Sequence, residues 1–370
     1  MNYIGVIIRC EIVMKIAVVL GTRPEIIKMS PIIRECDSLN LDYFILHTGQ
    51  HYSYILDKIF FDELNLPESN YNLNIGSGTH GTQTGRMMER IEEIFLKESP
   101  DVVLVEGDTN TVLAAALVSA KLKMKLGHVE AGLRSYDRNM PEEVNRVITD
   151  HISDFLFAPT EVASNNLIKE GIDSSQIVIT GNTIVDAVYQ NLKIAEIKAN
   201  PLDRLGIAPK EYLLLSTHRQ ENVDSKQKLE NILAGIDLIY QSYSLPIIFP
   251  IHPRTLGKLR EFSLTVPKGI RVVDPLNFLD FLLLESSARM VLTDSGGIQE
   301  ETCILGVPCV TLRENTERPE TLQAGSNILA GTNPEKILES FETMQRTKEG
   351  WKNPFGDGNA AKRIIEAIRE

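Results

Sequence analysis

The sequence predicts an α/β protein with parallel β-sheets in two separate units. Apolar runs with the length of buried strands alternate with helical patterns along almost the whole chain, which is typical of parallel sheets with helices on both faces. The runs form two series. The first comprises residues 15–20, 43–48, 101–106, 125–130, 154–158 and 176–180, and the second comprises 212–216, 246–251, 270–273, 289–293 and 307–312. Ligands of such sheets bind beyond the carboxyl ends of the strands, so the residues that follow each strand are the functional candidates.

The chain of 370 residues has the length of two domains. The two series separate near Gly181-Asn182, after which a polar helical segment leads to Pro201. The turn-rich stretch Asn353 to Gly358 precedes one last helical pattern, which could pack on either unit.

Composition narrows the class of ligand. A net charge of −12 argues against nonspecific binding to nucleic acid or to anionic membranes, although local arginines could still bind a phosphate. Four cysteines without a CxxC spacing predict reduced thiols in a cytoplasmic protein. Seven histidines without an HxxxH or HxH pair give no indication of a zinc site. No apolar stretch reaches the roughly 18 residues that span a bilayer.

The loop after the first strand combines a helix start with positive charge. Thr22 and Glu25 have the spacing of a capping box, and Pro24 lies where the first turn of a helix tolerates proline. Arg23 and Lys28 are therefore expected at the ligand end of the strand, where two cations suit a phosphate. A well-capped surface helix with solvated cations is the alternative interpretation.

Three acidic residues are expected near one another at strand ends. Asp108 follows strand 101–106, Glu130 ends the next strand, and Glu142 lies in the first turn of a helix that Pro141 begins. Together they could supply general acid and base groups with separated pKa values. Two alternatives stay open from the residues alone, namely a divalent-metal site and simple helix capping.

The segment Asp294–Glu301 is the most informative stretch of the chain. It follows an apolar strand, Ser295 suits a helix N-cap, and Gly296 and Gly297 allow a ligand to approach the backbone. A helix N-terminus favours an anion, so the amides could bind a diphosphate. Glu301, one turn later, could accept hydrogen bonds from ribose hydroxyls. The segment therefore predicts a nucleoside diphosphate ligand.

Further candidates come from the second series. His218 follows strand 212–216, where it could contact a diphosphate or assist a leaving group. Arg318 precedes a helix-starting proline, as Arg23 does in the first unit. Phe281 could stack on a base, although a phenylalanine on an apolar helix face usually belongs to the core.

The segment Gly76–Gly81 matches the GxGxxG pattern but lacks its context. The preceding residues, Tyr71 to Ile75, make a poor central strand, and no acidic residue follows at the spacing that a dinucleotide site requires. We interpret it as a flexible glycine loop.

Eight motifs in one order resemble those of the non-hydrolysing UDP-N-acetylglucosamine 2-epimerases, from about Met14 to the C-terminus. The motifs are Gly21 to Glu25, Gly107-Asp108-Thr109, His128 to Arg134, Pro141-Glu142-Glu143, Ile179 to Thr183, Asp294 to Glu301, Thr316 to Glu320 and Asn353 to Gly358. Their order over this length is far more specific than any single motif.

The resemblance implies the GT-B fold, with two Rossmann-like domains whose parallel sheets face a central cleft. Residues 1–182 would form the first domain, to which the helix 356–370 returns, and residues 183–355 the UDP-binding second domain. The implied reaction interconverts UDP-N-acetylglucosamine and UDP-N-acetylmannosamine by anti elimination of UDP, through 2-acetamidoglucal, and re-addition. It needs no metal, nicotinamide or other cofactor. The expected protein is a cytoplasmic homodimer that binds a UDP-sugar and neither nucleic acid nor membrane.

The resemblance also assigns roles to matching residues. Asp108, Glu130 and Glu142 become the acid/base group, which favours proton transfer over a metal site, and His218 assists the leaving diphosphate. The substrate-binding residues would be Arg23, Lys28, Phe281, Ser295, Gly296, Gly297, Glu301 and Arg318.

Two segments depart from the family pattern. The family's Gln-His-x-x-Met segment, which contributes to an activator site in many bacterial members, is here Gln50-His51-Tyr52-Ser53-Tyr54, and the Met1–Val13 extension has no counterpart. Two other activities stay open. A hydrolysing epimerase would release free N-acetylmannosamine, and a GT-B glycosyltransferase would need an acceptor for its UDP-sugar. A nucleotide-sugar-binding regulatory protein without turnover is the alternative from outside the enzymes.

Overall fold

The computed structural model describes residues 14–49, 54–347 and 350–370. The N-terminal extension and residues Gln50 to Ser53 of the departing activator segment lie outside this described part, so the expectations about them stay predictions. The chain divides into two compact units. One contains the chain up to Thr183 together with Gly358–Glu370, and the other contains Ile184–Asp357.

The first unit is built on a seven-stranded sheet in which every neighbouring pair is parallel. Its strands are β1 (Lys15–Leu20), β2 (Asp42–His47), β3 (Tyr71–Asn72), β4 (Val102–Glu106), β5 (Lys125–Val129), β6 (Phe155–Ala158) and β7 (Ile177–Ile179). The helices between them are α1 (Arg23–Ser38), α2 (Tyr54–Glu63), α3 (His80–Glu98), α4 (Asn110–Leu122), α5 (Pro141–Ile152) and α6 (Glu161–Lys169). The strand order is β3-β2-β1-β4-β5-β6-β7.

The second unit repeats this design with six parallel strands. They are β8 (Leu213–Ser216), β9 (Ile247–Pro250), β10 (Ile270–Val273), β11 (Met290–Thr293), β12 (Cys309–Thr311) and β13 (Asn327–Leu329), in the order β10-β9-β8-β11-β12-β13. The helices from the start of this unit are α7 (Thr183–Lys198), α8 (Pro201–Leu205), α9 (Gln220–Val223), α10 (Lys226–Tyr243), α11 (Pro253–Glu261), α12 (Phe278–Ser287), α13 (Gly296–Leu305), α14 (Pro319–Gln323) and α15 (Pro334–Gln345).

The last helix, α16 (Ala360–Arg369), belongs to the first unit, where it packs against α1. Its isoleucines at 364, 365 and 368 are buried at helical spacing, which explains why this stripe needs a partner surface. Arg363 of α16 also donates a hydrogen bond to the carbonyl oxygen of Thr180 at 2.9 Å.

The central strands are apolar because helices cover both of their faces. All of β4 and all of β11 are buried, as expected for the middle of a doubly wound sheet. The prediction of an α/β fold with a parallel sheet in each unit is therefore confirmed.

The structure corrects three details of the prediction. The sequence does not predict β3 and β13, because strands of two and three residues at a sheet edge are too short to form an apolar run. The predicted strand 307–312 contains only the three residues of β12. The interpretation of Gly76–Gly81 as a loop is wrong at its end, since His80 and Gly81 form the first turn of α3.

Each sheet has one point at which its strand order reverses. In the first sheet the chain leaves β1 toward β2 and later adds β4 on the other side, and β8 and β11 have the same relation in the second sheet. The loops that follow the two strands at such a point separate in opposite directions and leave a crevice, where ligands of open α/β sheets bind. These four loops carry Arg23, Asp108, His218 and the Asp294–Glu301 segment.

Candidate functional site

In the first unit, Glu25 joins the two loops at the reversal point. Its carboxylate accepts hydrogen bonds from the amides of Gly21 and Thr22, both at 2.7 Å, and from the hydroxyl of Thr109 at 2.5 Å. The predicted capping box of Thr22 and Glu25 is confirmed. Burial raises the pKa of Glu25, although these three donors oppose that effect. The result is a fixed connection between the end of β1 and the end of β4.

Lys28 lies at the centre of a partly buried charged cluster. Its ammonium is 2.6 Å from a carboxylate oxygen of Glu130 and 3.0 Å from one of Glu106. The side-chain amide of Asn182 donates to the second oxygen of Glu130 at 2.9 Å. Lys28 belongs to α1, Glu106 ends β4 and Glu130 follows β5. Three elements therefore converge on one ion-paired group at the carboxyl end of the sheet.

The backbone of Glu130 is itself unusual. Its φ angle is +70°, in the left-handed region that a residue with a side chain rarely adopts. Such a conformation costs on the order of 1–3 kcal/mol and persists only where the surroundings fix it, often at functional sites. Here the ion pair with Lys28 and the hydrogen bond from Asn182 fix the side chain.

Asp108 pairs with a different cation. Arg146 of α5 forms an ion pair with Asp108 and a second one, at 3.0 Å, with Glu143. Burial alone would raise the pKa of Glu143, but hydrogen bonds from Ser135, Tyr136 and Arg146 hold it below its usual value.

Glu142 does not share this environment, because it is exposed in the first turn of α5. Among the described contacts, two of the three acids pair with different cations. Asp108 pairs with Arg146, and Glu130 pairs with Lys28. The third acid, Glu142, is placed at the surface beside the buried Glu143.

A buried network supports the loops that carry Asp108 and Glu130. His128 of β5 contacts Asp150 through Nδ1 at 2.6 Å and the carbonyl oxygen of Gly107 through Nε2 at 2.9 Å. The ring therefore connects α5, which carries Asp150, to the loop after β4. Arg134 also pairs with Asp150, at 2.7 Å. Burial opposes the charge of Asp150, but His128 and Arg134 hold its pKa below the usual value.

In the second unit, Asp294 is a structural acceptor. It is fully buried and receives hydrogen bonds from the hydroxyl of Thr217 at 2.6 Å, the amides of His218 and Arg219 at 3.1 Å, and the side chain of Asn222 at 3.1 Å. The loop after β8 is therefore tied to the loop after β11. These hydrogen bonds fix the backbone from which the His218 side chain extends.

The His218 side chain is half-exposed beside two other groups. Its Nδ1 lies 3.7 Å from Asp294, and its ring lies 5.6 Å from that of His252, centroid to centroid. Burial lowers the pKa of His218, with Asp294 opposing this change and His252 adding to it. The lowered pKa favours the neutral form of the His218 ring at pH 7.

The helix α13 starts as the sequence predicts, with Ser295 as its N-cap and Gly296 as its first residue. The side chain of Ser295 makes no capping hydrogen bond, and Gly297 is exposed. Amide groups in the first turn of a helix have no acceptor within the helix, so this end can bind an anion.

Glu301 lies one turn further along α13. Burial raises the pKa of Glu301 to about 7. On the neighbouring helix α12, burial and the nearby Glu301 raise the pKa of Glu285 well above its usual value.

The remaining predicted residues occupy mixed environments. Arg318 pairs with Glu300 at 2.6 Å and precedes α14. Arg23 is exposed at the start of α1, with its guanidinium 5.9 Å from the ring of Phe60. Phe281 is partly buried and packs against a core cluster that includes Tyr212, so part of its side chain belongs to the core.

Three residues of the first-unit site were not predicted from the sequence. Asn182 and Arg146 lie in or beside motifs that the resemblance rests on, yet neither has a charge pattern that assigns a role. Glu106 ends an apolar strand and looks like an ordinary strand terminus. Only the folded arrangement shows that all three contact the predicted acids or their cations.

Comparison with known proteins places this chain in a family. The sequence profile of the family described as UDP-N-acetylglucosamine 2-epimerase matches residues 34–369. A Methanocaldococcus jannaschii protein with that name is 58% identical over 361 residues, which cover 96% of this chain and 99% of the relative. The chain therefore belongs to the UDP-N-acetylglucosamine 2-epimerase family, and the resemblance inferred from the motifs is confirmed.

A solved structure and a further relative extend the comparison. The crystal structure of the M. jannaschii enzyme in complex with UDP-GlcNAc and UDP has a TM-score of 0.84 and 58% identity, covering 96% of this chain and 99% of the other. The Pseudomonas aeruginosa UDP-2,3-diacetamido-2,3-dideoxy-D-glucuronate 2-epimerase is 40% identical over 96% of this chain and 99% of its own. This structural match confirms the fold class that the sequence of this chain predicts. No helix among the described residues is long and apolar enough to cross a membrane.

Proposed function

We propose that this protein catalyses the reversible, non-hydrolysing epimerisation of UDP-N-acetylglucosamine at C2 to UDP-N-acetylmannosamine. One observation carries the proposal: the partly buried Lys28–Glu130 ion pair at the carboxyl end of the first sheet, in a chain 58% identical to a protein named for this activity. A carboxylate fixed beside an ammonium is suited to proton transfer at carbon.

The second unit supplies the groups for the UDP moiety. The amides of Ser295, Gly296 and Gly297 bind the diphosphate at the start of α13, where the helix dipole favours negative charge. Glu301 accepts hydrogen bonds from the ribose, and Arg318 and Phe281 contact the nucleotide. In the first unit, Arg23 and Lys28 are the proposed cationic substrate-binding residues.

The reaction proceeds in two balanced steps. A carboxylate of the acid/base group removes the C2 proton while the C1–O bond to UDP breaks, which gives 2-acetamidoglucal and UDP. A proton then adds to the opposite face of C2 as UDP re-forms the bond to C1. Asp108, Glu130 and Glu142 are the proton carriers, and His218 donates a hydrogen bond to the departing diphosphate. We propose no metal and no other cofactor.

The first prediction concerns the C2 hydrogen. Product formed in deuterated water should carry deuterium at C2, because the proton that leaves the substrate exchanges with solvent on the carboxyl groups before a proton returns. NMR of the product in a reaction containing EDTA measures this incorporation and tests metal independence at once. Product that retains its original hydrogen would exclude the elimination mechanism, and activity that EDTA abolishes and magnesium restores would favour a metal site.

The second prediction separates binding from chemistry. His218→Ala should lower kcat by about 10²-fold or more, because His218 acts where charge develops on the leaving group. Glu301→Ala should raise KM more than it lowers kcat, because the ribose contact is the same in the ground state and the transition state.

Steady-state kinetics in both directions measures this division of roles. His151→Ala is a suitable control, since His151 is exposed on α5 and its Nδ1 contacts only the carbonyl oxygen of Val147 in the described structure. Equal changes of kcat and KM in both variants would contradict the assignment.

The P. aeruginosa relative supports one alternative substrate. Its name gives a UDP-2,3-diacetamido uronate, which undergoes the same inversion at C2. Incubation of the protein with each UDP-sugar, followed by NMR, distinguishes the candidates. Free sugar would indicate a hydrolysing epimerase, and substrate left unchanged without an acceptor would indicate a glycosyltransferase. We also propose that the protein is cytoplasmic and forms a homodimer.

A further inference from the structure

Asp150 is a buried acid to which the proposed mechanism gives no task. It lies in the last turn of α5, one turn after Arg146, and is 1% exposed. Its Oδ1 is 2.6 Å from Nδ1 of His128. Its Oδ2 is 2.7 Å from the guanidinium of Arg134 and accepts a hydrogen bond from the amide of Gly132 at 3.2 Å. The two oxygens of one buried carboxylate therefore bind different parts of the chain.

The first oxygen of Asp150 acts on the loop after β4. The ring of His128 is buried in β5 and contacts the carbonyl oxygen of Gly107 through Nε2 at 2.9 Å. Gly107 directly precedes Asp108, and its φ angle is +84°, in the left-handed region that favours glycine. Because the chain turns at Gly107, the orientation of this peptide decides where the Asp108 side chain begins. Asp150 thus reaches the first acid through a single ring.

The second oxygen of Asp150 acts on the loop after β5. The amide that it binds, that of Gly132, lies two residues after Glu130. The φ angles are +70° at Glu130 and +82° at Gly132, and a Cβ atom at Gly132 would lie 2.3 Å from the carbonyl oxygen of Ala163. A backbone in this region persists only where its surroundings fix it. The hydrogen bond to Asp150 is one of the contacts that fix this loop.

The charge of Asp150 allows both connections at once. Burial would raise the pKa of Asp150, but His128 and Arg134 hold this pKa below its usual value, so the carboxyl group is ionised at pH 7. An ionised carboxylate accepts hydrogen bonds at two oxygens, whereas a side-chain amide has only one acceptor oxygen. A residue with one acceptor could bind the His128 side or the Gly132 side, but not both.

We propose that Asp150 is a positioning residue that sets the geometry of Asp108 and Glu130 together. This inference rests on the proposed function, in which these two acids carry protons to and from C2. Protons leave and return on opposite faces of C2, so the separation of the acids must match the sugar ring. A misplacement of about 1 Å in such a site can lower the rate by about 10²-fold. One carboxylate that connects both loops keeps this separation constant.

Other contacts of the Asp108 loop do not depend on Asp150. Arg146 still pairs with the Asp108 carboxylate, and the side-chain amide of Asn145 still donates to the Asp108 carbonyl oxygen at 2.8 Å. Arg134 likewise keeps Glu170 at 2.7 Å. Loss of Asp150 should therefore misplace the two acids rather than release them.

Two substitutions of Asp150 test the proposal through activity. Asp150→Asn keeps one acceptor and loses one connection, so kcat should fall about 10-fold, whereas Asp150→Ala loses both connections and should lower kcat about 100-fold. KM should change less than about threefold, because the described partners of Asp150 are not residues proposed to bind the nucleotide. An unchanged kcat in Asp150→Ala, or a rise in KM as large as the fall in kcat, would overturn the proposal.

Asp154→Asn is the matched control. Asp154 also binds a cation and a backbone amide, those of Lys125 at 2.6 Å and Leu126 at 2.9 Å, but at the opposite end of β5 from the two acids. The same chemical change there should leave kcat equal to that of the wild type. A fall of kcat in Asp154→Asn equal to that in Asp150→Asn would show a general effect on the sheet and would overturn the positioning role.

Hydrogen exchange measured by mass spectrometry tests the connections without substrate and in any variant that folds. In Asp150→Ala, the amides of residues 107–109 and 130–134 should both exchange about tenfold faster than in the wild type. Asp150→Asn should affect one of these two segments, and His128→Leu, which keeps the bond between Gly132 and Asp150, should affect residues 107–109 alone. Unchanged exchange of both segments in these variants would refute the connection whatever reaction the enzyme catalyses. The expected exchange in a protein whose wild type lacks epimerase activity would contradict the proposed function alone.

Discussion

Replacing Glu130 by glutamine should lower kcat by about 10³-fold, within the range of general acid and base contributions. The amide has the shape of the carboxylate and can still accept the hydrogen bond that Asn182 donates at 2.9 Å. It cannot take a proton from C2, and it leaves Lys28 without its partner at 2.6 Å. The chemical step should therefore fail while the local structure persists.

Two measurements isolate this effect. Single-turnover epimerisation followed by NMR gives the rate of the chemical step. Calorimetry gives the affinity for UDP, which should change much less than kcat because Glu130 is not among the residues proposed to bind the nucleotide. Glu161→Gln makes the same chemical change at an exposed position in the first turn of α6 and should have no effect. A Glu130→Gln variant with more than a tenth of wild-type kcat would remove Glu130 from the acid/base group.

Substituting Asp294 by alanine should destabilise the second unit by about 3–5 kcal/mol. The carboxylate is fully buried and is the shared acceptor of Thr217, His218, Arg219 and Asn222. Alanine would remove this acceptor from the hydroxyl of Thr217 and the amides of His218 and Arg219, whereas Asn222 keeps the carbonyl oxygen of Leu312. Each buried donor that loses its acceptor costs about 1–3 kcal/mol.

The single tryptophan of the chain reports this transition directly. Trp351 lies in the second unit, where its indole nitrogen donates to the carbonyl oxygen of Cys303 at 2.9 Å, so its fluorescence in urea follows the unfolding of that unit. Asp224→Ala is the control, because Asp224 is an exposed acid paired with Arg254 and should hardly change the midpoint. A midpoint for Asp294→Ala equal to that of the control would contradict the structural role.

The sequence alone predicts the class of fold and which strands are followed by functional loops. These predictions succeed because buried parallel strands are continuous apolar runs, and because residues at strand ends must lie at one edge of a parallel sheet. Asp108, Glu130, His218 and the Asp294–Glu301 segment could all be placed at strand ends for this reason alone.

The contacts between these residues could not be predicted. Lys28 and Glu106 are 78 positions apart in the sequence, and no pattern of spacing brings an ammonium to a strand terminus. The sequence also does not separate Glu142 from Glu143, because adjacent residues on a helix differ by about 100° in direction. Which of the two is buried depends on the path of the loop at Ser135 and Tyr136, whose amides bind Glu143.

The burial of α16 against α1 has a consequence for how the chain is made. The first unit contains residues from both ends of the sequence, and its surface on α1 is complete only when residues 358–370 are present. During synthesis, the N-terminal part of a chain ordinarily folds first. Here residues 358–370, which complete the first unit, are made only after all of residues 184–357. The unit whose synthesis begins first is therefore the last of the two to finish folding.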